Sequence, residues 1–297
     1  MSVPVEGGAL RVGRWGDEGG PVVLAVHGIT ATHVAWMEVA ARLPAGITLL
    51  APDLRGRGRS ADLPAPYGFA AHVRDLLAVL DAVGAERAVL AGHSMGGFLA
   101  VALAAHHPDR VSRLVLVEGG PPLGRPEDQL PAGGIDALLG PAAARLEMTF
   151  PSREAYHEFW RAHPAFGPMW GPAVEAYVDY DLVGDPPRLR SSCRPEAMRV
   201  DGAEVNDHAA TTDAFARMSR TSVPATLLRA ERGLLDEPRA FYPVEALARW
   251  HPQLAGPRLR TVPDTNHYSI LLAAAGADAV AAAITEAVAP APGAPVT

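Results

Sequence analysis

The chain has 297 residues, of which 48% are hydrophobic and 20% charged, and a net charge of −7. This is a globular composition, with room for one large domain or for a core plus an insertion. The acidic balance argues against nucleic acid as a partner, and no apolar stretch free of charge and proline approaches the ~18 residues of a membrane span.

In chain order, the N-terminus shows no basic region followed by an apolar run, so no secretory signal is expected and the cytoplasm is the expected location. Val22–Val26 is a continuous apolar run, as expected of a strand buried on both faces. Residues 34–43 have a helical pattern, and Ile47-Thr48-Leu49-Leu50-Ala51 reads as a second buried strand closed by Pro52. The basic run Arg55-Gly56-Arg57-Gly58-Arg59 reads as a turn with solvated charges. Residues 70–83 form an amphipathic helix with Val73, Leu76, Leu77 and Leu80 on one stripe. A strand at 87–91 leads into Gly92-His93-Ser94-Met95-Gly96, followed by an Ala/Leu-rich helix at 97–106 and a strand at 113–117. This alternation implies a mostly parallel sheet with helices on both faces.

The rhythm breaks over 119–220, where Pro-rich turns separate helical stretches at 135–150, 153–163, 173–182 and 207–219. The segment carries Phe150, Tyr156, Phe159, Trp160, Phe166, Trp170, Tyr177 and Tyr180. These aromatics suit either the core of a helical subdomain or the inner face of a lid over an apolar pocket. Trp160, Trp170 and Phe159 are the candidates for substrate contact. Alternation resumes with a strand at Ala225–Ala230, a helix near 244–250, a strand at 258–262 and a final helix over 269–288, before a Pro/Ala tail. Residues 1–118 and 221–297 would then form the core domain, with 119–220 as a helical cap. Cys193 is the single cysteine, so no intrachain disulfide can form.

The run at 92–96 fits G-x-S-x-G in a strand–turn–helix context, which places the serine hydroxyl on a strained elbow, with helix N–H groups behind it. Such a serine needs a base. All 26 basic residues are arginine, which excludes Ser–Lys dyads along with Schiff-base and P-loop lysine chemistry, so histidine is the natural base. Among eleven histidines, His27, His93 and His267 are the serious candidates. His93, adjacent to the nucleophile, is expected to point away from the hydroxyl. His267 follows the last strand, at the sheet edge where ligands bind in open α/β folds, and is the chosen base.

At this point the chain resembles the α/β-hydrolase family over nearly its whole length. The matching pieces are His27-Gly28 after an apolar strand, Asp53-Leu54-Arg55-Gly56-Arg57-Gly58-Arg59-Ser60, the elbow, and Asn266-His267 before the final helix. The resemblance implies an eight-stranded, mostly parallel sheet flanked by helices, with a helical cap inserted after the sixth strand. It implies an oxyanion hole formed by the backbone N–H groups of Ile29 and Met95, to which Thr30 could add a hydroxyl. The usual position of the triad acid falls on Gly233. Asp236, three residues later, is the first candidate, and Glu118, at the end of the sixth strand, is the alternative, because a minority of members place the acid there. Glu231 could orient the histidine only if its loop folds back, and Asp53 is read as the organiser of the turn at 55–60. Serine at the elbow weighs against the haloalkane dehalogenase and epoxide hydrolase branches, which need a carboxylate nucleophile. The implied activity is hydrolysis of a carboxylic ester of a bulky or apolar substrate, with no metal or cofactor. Lactonase, thioesterase, C–C hydrolase or perhydrolase activity on the same triad, or a non-catalytic ligand-binding role, remain the alternatives. The expected partner is a small-molecule ester, and a homodimer is compatible with the chain.

Overall fold

A computed structural model describes residues 1–122, 139–250 and 258–289. The start of the helix expected at 135–150, His251 and the tail from residue 290 lie outside the described residues.

Eight strands form one sheet: β1 (Ser2–Val5), β2 (Gly8–Trp15), β3 (Val22–Val26), β4 (Thr48–Pro52), β5 (Ala88–His93), β6 (Val111–Val117), β7 (Ala225–Ala230) and β8 (Leu259–Val262). Their order across the sheet is β1-β2-β4-β3-β5-β6-β7-β8. β2 pairs antiparallel with β1 and β4, and the remaining pairs are parallel. The mostly parallel sheet is therefore the one expected. β4 and β5 are buried along their whole length, the pattern of strands covered on both faces. β1 and β2 carried no expectation, although Leu10 and Val12 face inward and Arg11 outward.

The register aligns the carboxyl ends of the central strands: Val26 on β3 faces Gly92 on β5, and His93 faces Val117 on β6. Whatever follows those three strands therefore meets at one edge. Two helices of the core matter most. α1 (Phe69–Ala82) packs its stripe of Val73, Leu76 and Leu80 inward, and α2 (Met95–His106) is buried from residue 95 to 104.

Between β6 and β7 lie α3 (Arg153–Arg161), α4 (Pro172–Asp181), α5 (Pro195–Asn206) and α6 (His208–Ser219), with a two-residue antiparallel ladder joining Leu182–Val183 to Arg190–Ser191. Ser152 caps α3 by accepting from Ala155 N–H, and Asp207 caps α6 by accepting from Ala210 N–H. In place of the long helix expected up to residue 150, the described part holds one α turn (Pro141–Ala144) and one 3-10 turn (Arg145–Glu147). α5 was not expected. Its sequence mixes Gly202 with charges and offers no apolar stripe, and tertiary contacts hold it. The last helix divides at Ala273, whose extended backbone separates Ser269–Leu272 from α7 (Ala274–Val288).

The inserted segment is tied to the core by charge. The N-terminus of α1 has no cap of its own, since its N-cap is Gly68. Asp201 Oδ1 accepts from Gly68 N–H at 2.8 Å and Glu204 Oε2 from Phe69 N–H at 2.6 Å, both from α5. Two carboxylates thus sit where the helix dipole is positive. The run at 55–59 departs from the solvated turn expected. Arg55 and Arg57 are buried, because carboxylates and carbonyls fold around them. Arg55 grips Asp75 through Nε at 2.7 Å and Nη2 at 2.8 Å and also donates to the carbonyl of Pro64. A buried pair broken on one side leaves an uncompensated charge. Arg55→Met is therefore expected to lower the unfolding free energy in urea by about 3–5 kcal/mol; a loss below ~1 kcal/mol would show that Asp75 is satisfied without it.

Candidate active site

The site is built where backbones approach too closely for side chains. A Cβ on Gly92 would strike the carbonyl of Gly96, and one on Gly96 would strike the carbonyl of Val26. A Cβ on Gly119 would strike the carbonyl of Ser94. Within this packing Ser94 takes φ 54° and ψ −123° between β5 and α2, a conformation that costs a non-glycine residue free energy and persists only when its surroundings impose it. Its N–H donates to Val117 O at 2.9 Å, so the elbow is locked to the end of β6.

Ser94 and His267 line one pocket, together with Gly28, Ile29, Thr30, His93 and a set of apolar residues. Ser94 Oγ makes no hydrogen bond among the described residues; catalytic bonds of this kind commonly tighten only in the complex. Glu118 lies behind His267. It too has positive φ, 52°, and its N–H donates to Leu228 O at 2.9 Å. Glu118 Oε2 lies 3.1 Å from His267 Nδ1, and Oε1 accepts from Ala230 N–H at 2.7 Å. The side chain is completely buried. The carboxylate that meets His267 is thus the alternative candidate, not Asp236. Asp236 Oδ1 accepts from Arg232 Nε at 2.8 Å and from Asn266 Nδ2 at 3.1 Å. These bonds hold its carboxyl below the ordinary carboxylate range despite some burial and steady Asn266 beside the histidine. Glu231 stays exposed and accepts from Asp264 N–H.

Burial pushes the Glu118 carboxyl up to about 8, against the pull of Ala230 N–H and the Arg229 charge. Burial also pushes His267 down to about 3. The imidazole is therefore neutral near pH 7, the form that a general base requires. Its ring is enclosed by His93 at 4.7 Å, Phe241 at 5.0 Å and Tyr268 at 5.4 Å between centroids.

His93 lines the pocket instead of pointing away from it. Its Nε2 lies 2.8 Å from the carbonyl of His267. A carbonyl only accepts, so Nε2 carries the proton and steadies the backbone of the candidate base. His27 also has a structural post. Its Nε2 accepts from Leu54 N–H at 3.0 Å, so its Nδ1 carries the proton and donates to Gly28 O at 2.8 Å. Burial lowers it to about 3. Asp53 does organise its turn, through Arg59 N–H, but it also accepts from His33 and from Tyr180 of α4.

The expected oxyanion donors sit beside the serine. Met95 N–H opens α2, where helix N–H groups lack internal partners. Ile29 N–H has no hydrogen-bond partner among the described residues and belongs to a pocket-lining residue. The three candidate aromatic contacts lie elsewhere. Trp160 is buried against Tyr156, Phe166 and the Arg145 guanidinium. Phe159 packs on Phe150 and Trp160. Trp170 donates to Glu175 and lies beneath Arg161. Trp160 belongs to the core of the inserted segment, and Phe159 and Trp170 are half-buried against it. The apolar wall is instead Leu139, Tyr177, Tyr268, Leu271 and Leu272, with Ala31 and Ala35, around a small cavity of about 30 Å³. Tyr268 and Leu271, one to four residues past His267, carried a positional signal, and Tyr177 was among the aromatics suited to the inner face of a lid; Leu139 carried none. Among the described residues no group of three or more His, Cys, Asp or Glu side chains converges as a metal cage, and no helix there is long and apolar enough to cross a membrane.

A model of the alpha/beta hydrolase fold matches residues 21–170. The chain is 36% identical over 183 residues to Lipase LipV of Mycobacterium tuberculosis, across 60% of this chain and 63% of that protein. It is 39% identical over 113 residues to Epoxide hydrolase A of the same organism, across 37% of this chain and 35% of that protein. The chain thus spans less than two thirds of these relatives. In three dimensions it is similar to the crystal structure of E-2-(acetamidomethylene)succinate hydrolase, with a TM-score of 0.76 at 23% identity, covering 97% of this chain and 98% of that one.

Two outcomes are expected. Glu118→Gln should lower kcat for a p-nitrophenyl ester by about 10²–10⁴-fold, while Asp236→Asn stays within several-fold of wild type; the reverse ranking would restore Asp236 as the acid. The productive tautomer, with Nδ1–H donating and Nε2 free, requires Glu118 ionised. Because its carboxyl is raised, kcat/KM should climb as pH increases through about 8. A profile already flat from about pH 6 upward would show Glu118 ionised throughout.

Proposed function

The chain belongs to the α/β-hydrolase fold family, and on that premise we propose that it is a serine hydrolase cleaving carboxylic esters of compact, uncharged, apolar acids. The observation that carries this reading is the alignment of a positive-φ Ser94 and a neutral His267 on one pocket, with buried Glu118 on the far nitrogen of the imidazole.

The chemistry follows from those positions. His267 Nε2 takes the proton of Ser94 Oγ as the oxygen attacks the ester carbonyl. The carbonyl oxygen becomes an anion and accepts from Ile29 and Met95 N–H, donors of a type worth about 2.7–4 kcal/mol each. Glu118 keeps the ring oriented and balances the imidazolium charge. Collapse of the adduct breaks the ester C–O bond, and His267 returns the proton to the departing alcohol. Water, deprotonated by His267, then attacks the acyl-serine; the acyl C–Oγ bond breaks, His267 returns the proton to Ser94 Oγ, and the acid is freed.

The pocket limits the acyl group. Among the described residues no charged side chain lines it, so a carboxylate-bearing substrate would enter without a charged partner from them, at high cost. Its enclosed volume of only about 30 Å³ favours a short or branched acyl chain, which keeps the apolar half of the expected substrate class and drops the bulky half. The inserted segment acts as a cap, contributing Leu139 and Tyr177 to the wall. A serine at the elbow supports acyl transfer over opening of an epoxide by a carboxylate, the chemistry that the resemblance assigns to that branch.

A fluorophosphonate probe is expected to label wild type and not Ser94→Ala, with ester turnover in the variant reduced by at least ~10³-fold. Among p-nitrophenyl esters, kcat/KM should peak between acetate and hexanoate and fall for dodecanoate and for succinate half-esters. Unchanged turnover in Ser94→Ala would refute the reading, and a preference for long or anionic chains would refute the assigned substrate class.

A further inference from the structure

Three consecutive carbonyls of the loop carrying Ile29 are each bound by a buried side chain. Gly28 O accepts from His27 Nδ1–H at 2.8 Å and from Ala31 N–H at 3.1 Å. Ile29 O accepts from Arg57 Nε at 3.0 Å. Thr30 O accepts from Arg145 Nη2 at 2.8 Å. In a trans peptide the N–H points opposite the carbonyl of the preceding residue. Fixing Gly28 O therefore aims Ile29 N–H, and fixing the next two carbonyls prevents the loop from rotating about it.

The charges of the two arginines are balanced from the inserted segment. Arg57 pairs with Asp201 of α5 at 2.5 Å, and both side chains are fully buried. Arg145 pairs with Asp181 of α4 at 3.2 Å, likewise out of water. Asp181 in turn accepts from Tyr156 OH, Ser191 Oγ and Ser192 Oγ. A guanidinium suits this post because its planar fork can serve a carbonyl and a carboxylate at once.

We propose that Arg57 and Arg145 are positioning residues for the oxyanion hole, and that Asp201 and Asp181 make the hole depend on the seating of the inserted segment. The proposal rests on the assignment of Ser94 and Ile29 above. It reaches further, in that α4 and α5, which hold no triad group, set the strength of transition-state binding.

The test compares Arg57→Met with the double variant Arg57→Met/Asp201→Asn, using an alkyl boronic acid, whose serine adduct places an anionic oxygen in the hole. Arg57→Met leaves the buried Asp201 charge without its guanidinium, with only Gly68 N–H and His72 beside it, and should lower both Tm and activity. The double variant removes the stranded charge, so Tm should recover. Its kcat/KM should remain about 10- to 100-fold below wild type with KM nearly unchanged, and boronate affinity should fall by the same factor. Arg57→Lys should recover part of both. If the double variant regains activity together with Tm, or if boronate affinity is unaffected while kcat/KM falls, Arg57 is a stability residue and the proposal fails. If wild type neither binds boronate nor turns over esters, the assignment of Ser94 fails instead.

Discussion

Everything at the site depends on backbone meeting backbone where β3, β5 and β6 end. At that edge Gly92, Gly96 and Gly119 sit against carbonyl oxygens of neighbouring segments, at distances no Cβ could occupy. This contact places Ser94 in a conformation it would not choose. It also brings the residue after β6 close enough for a glutamate side chain to reach the imidazole of the last loop. The unfavourable φ of Ser94 and of Glu118 is sustained by strand pairing on either side, with Ser94 N–H and Glu118 N–H each bonded to a neighbouring strand. Local strain at the candidate catalytic residues is thus held by the most regular part of the molecule.

A second layer of organisation is electrostatic. The chain buries Arg55, Arg57 and Arg145, which is costly unless each guanidinium finds a carboxylate and its remaining donors find carbonyls. Each does find its carboxylate. Two of those carboxylates come from the segment between β6 and β7, and two of the carbonyls, those of Ile29 and Thr30, belong to the loop beside the serine. Such couples specify which surfaces dock far better than apolar contact does, because a slip of one turn would leave two charges unpaired. The electrostatics of the site itself differ. Glu118 and His267 are buried without any neighbouring arginine in hydrogen-bond contact, and each is driven toward its neutral form.

Much of this was legible in the chain. Val22–Val26 and Ala225–Ala230 coincide with observed strands to the residue; the first is an unbroken apolar run, as a strand buried on both faces leaves, and the second keeps Leu227 and Leu228 buried between the half-buried Thr226 and Arg229. The elbow and the loop of His267 were legible because their sequence patterns are short and local. The acid was not fixed. Choosing between Asp236 and Glu118 requires knowing that the end of β6 turns through positive φ toward β7, a property of strand packing with no signature in sequence. The aromatics misled for a related reason. An amphipathic helix announces that Tyr156 and Trp160 are inside, but not inside what, and they fill the core of the insert while Tyr177 and Tyr268 reach the pocket. The basic run at 55–59 was misread because burial of arginine depends on Asp75 and Asp201, far away in sequence.

The capping of α1 by Asp201 and Glu204 has a consequence for modularity. A core helix whose first turn is completed by another segment's carboxylates cannot fray independently of that segment, so opening of the insert and loosening of α1 should be one cooperative event in hydrogen exchange. An insert grafted from a relative would carry its own wall for the substrate but would leave the first N–H groups of α1 unmet, unless acids stood at the positions of Asp201 and Glu204. In this chain the inserted segment is therefore also part of the foundation, and recombination between relatives would have to respect a joint that lies well away from the serine.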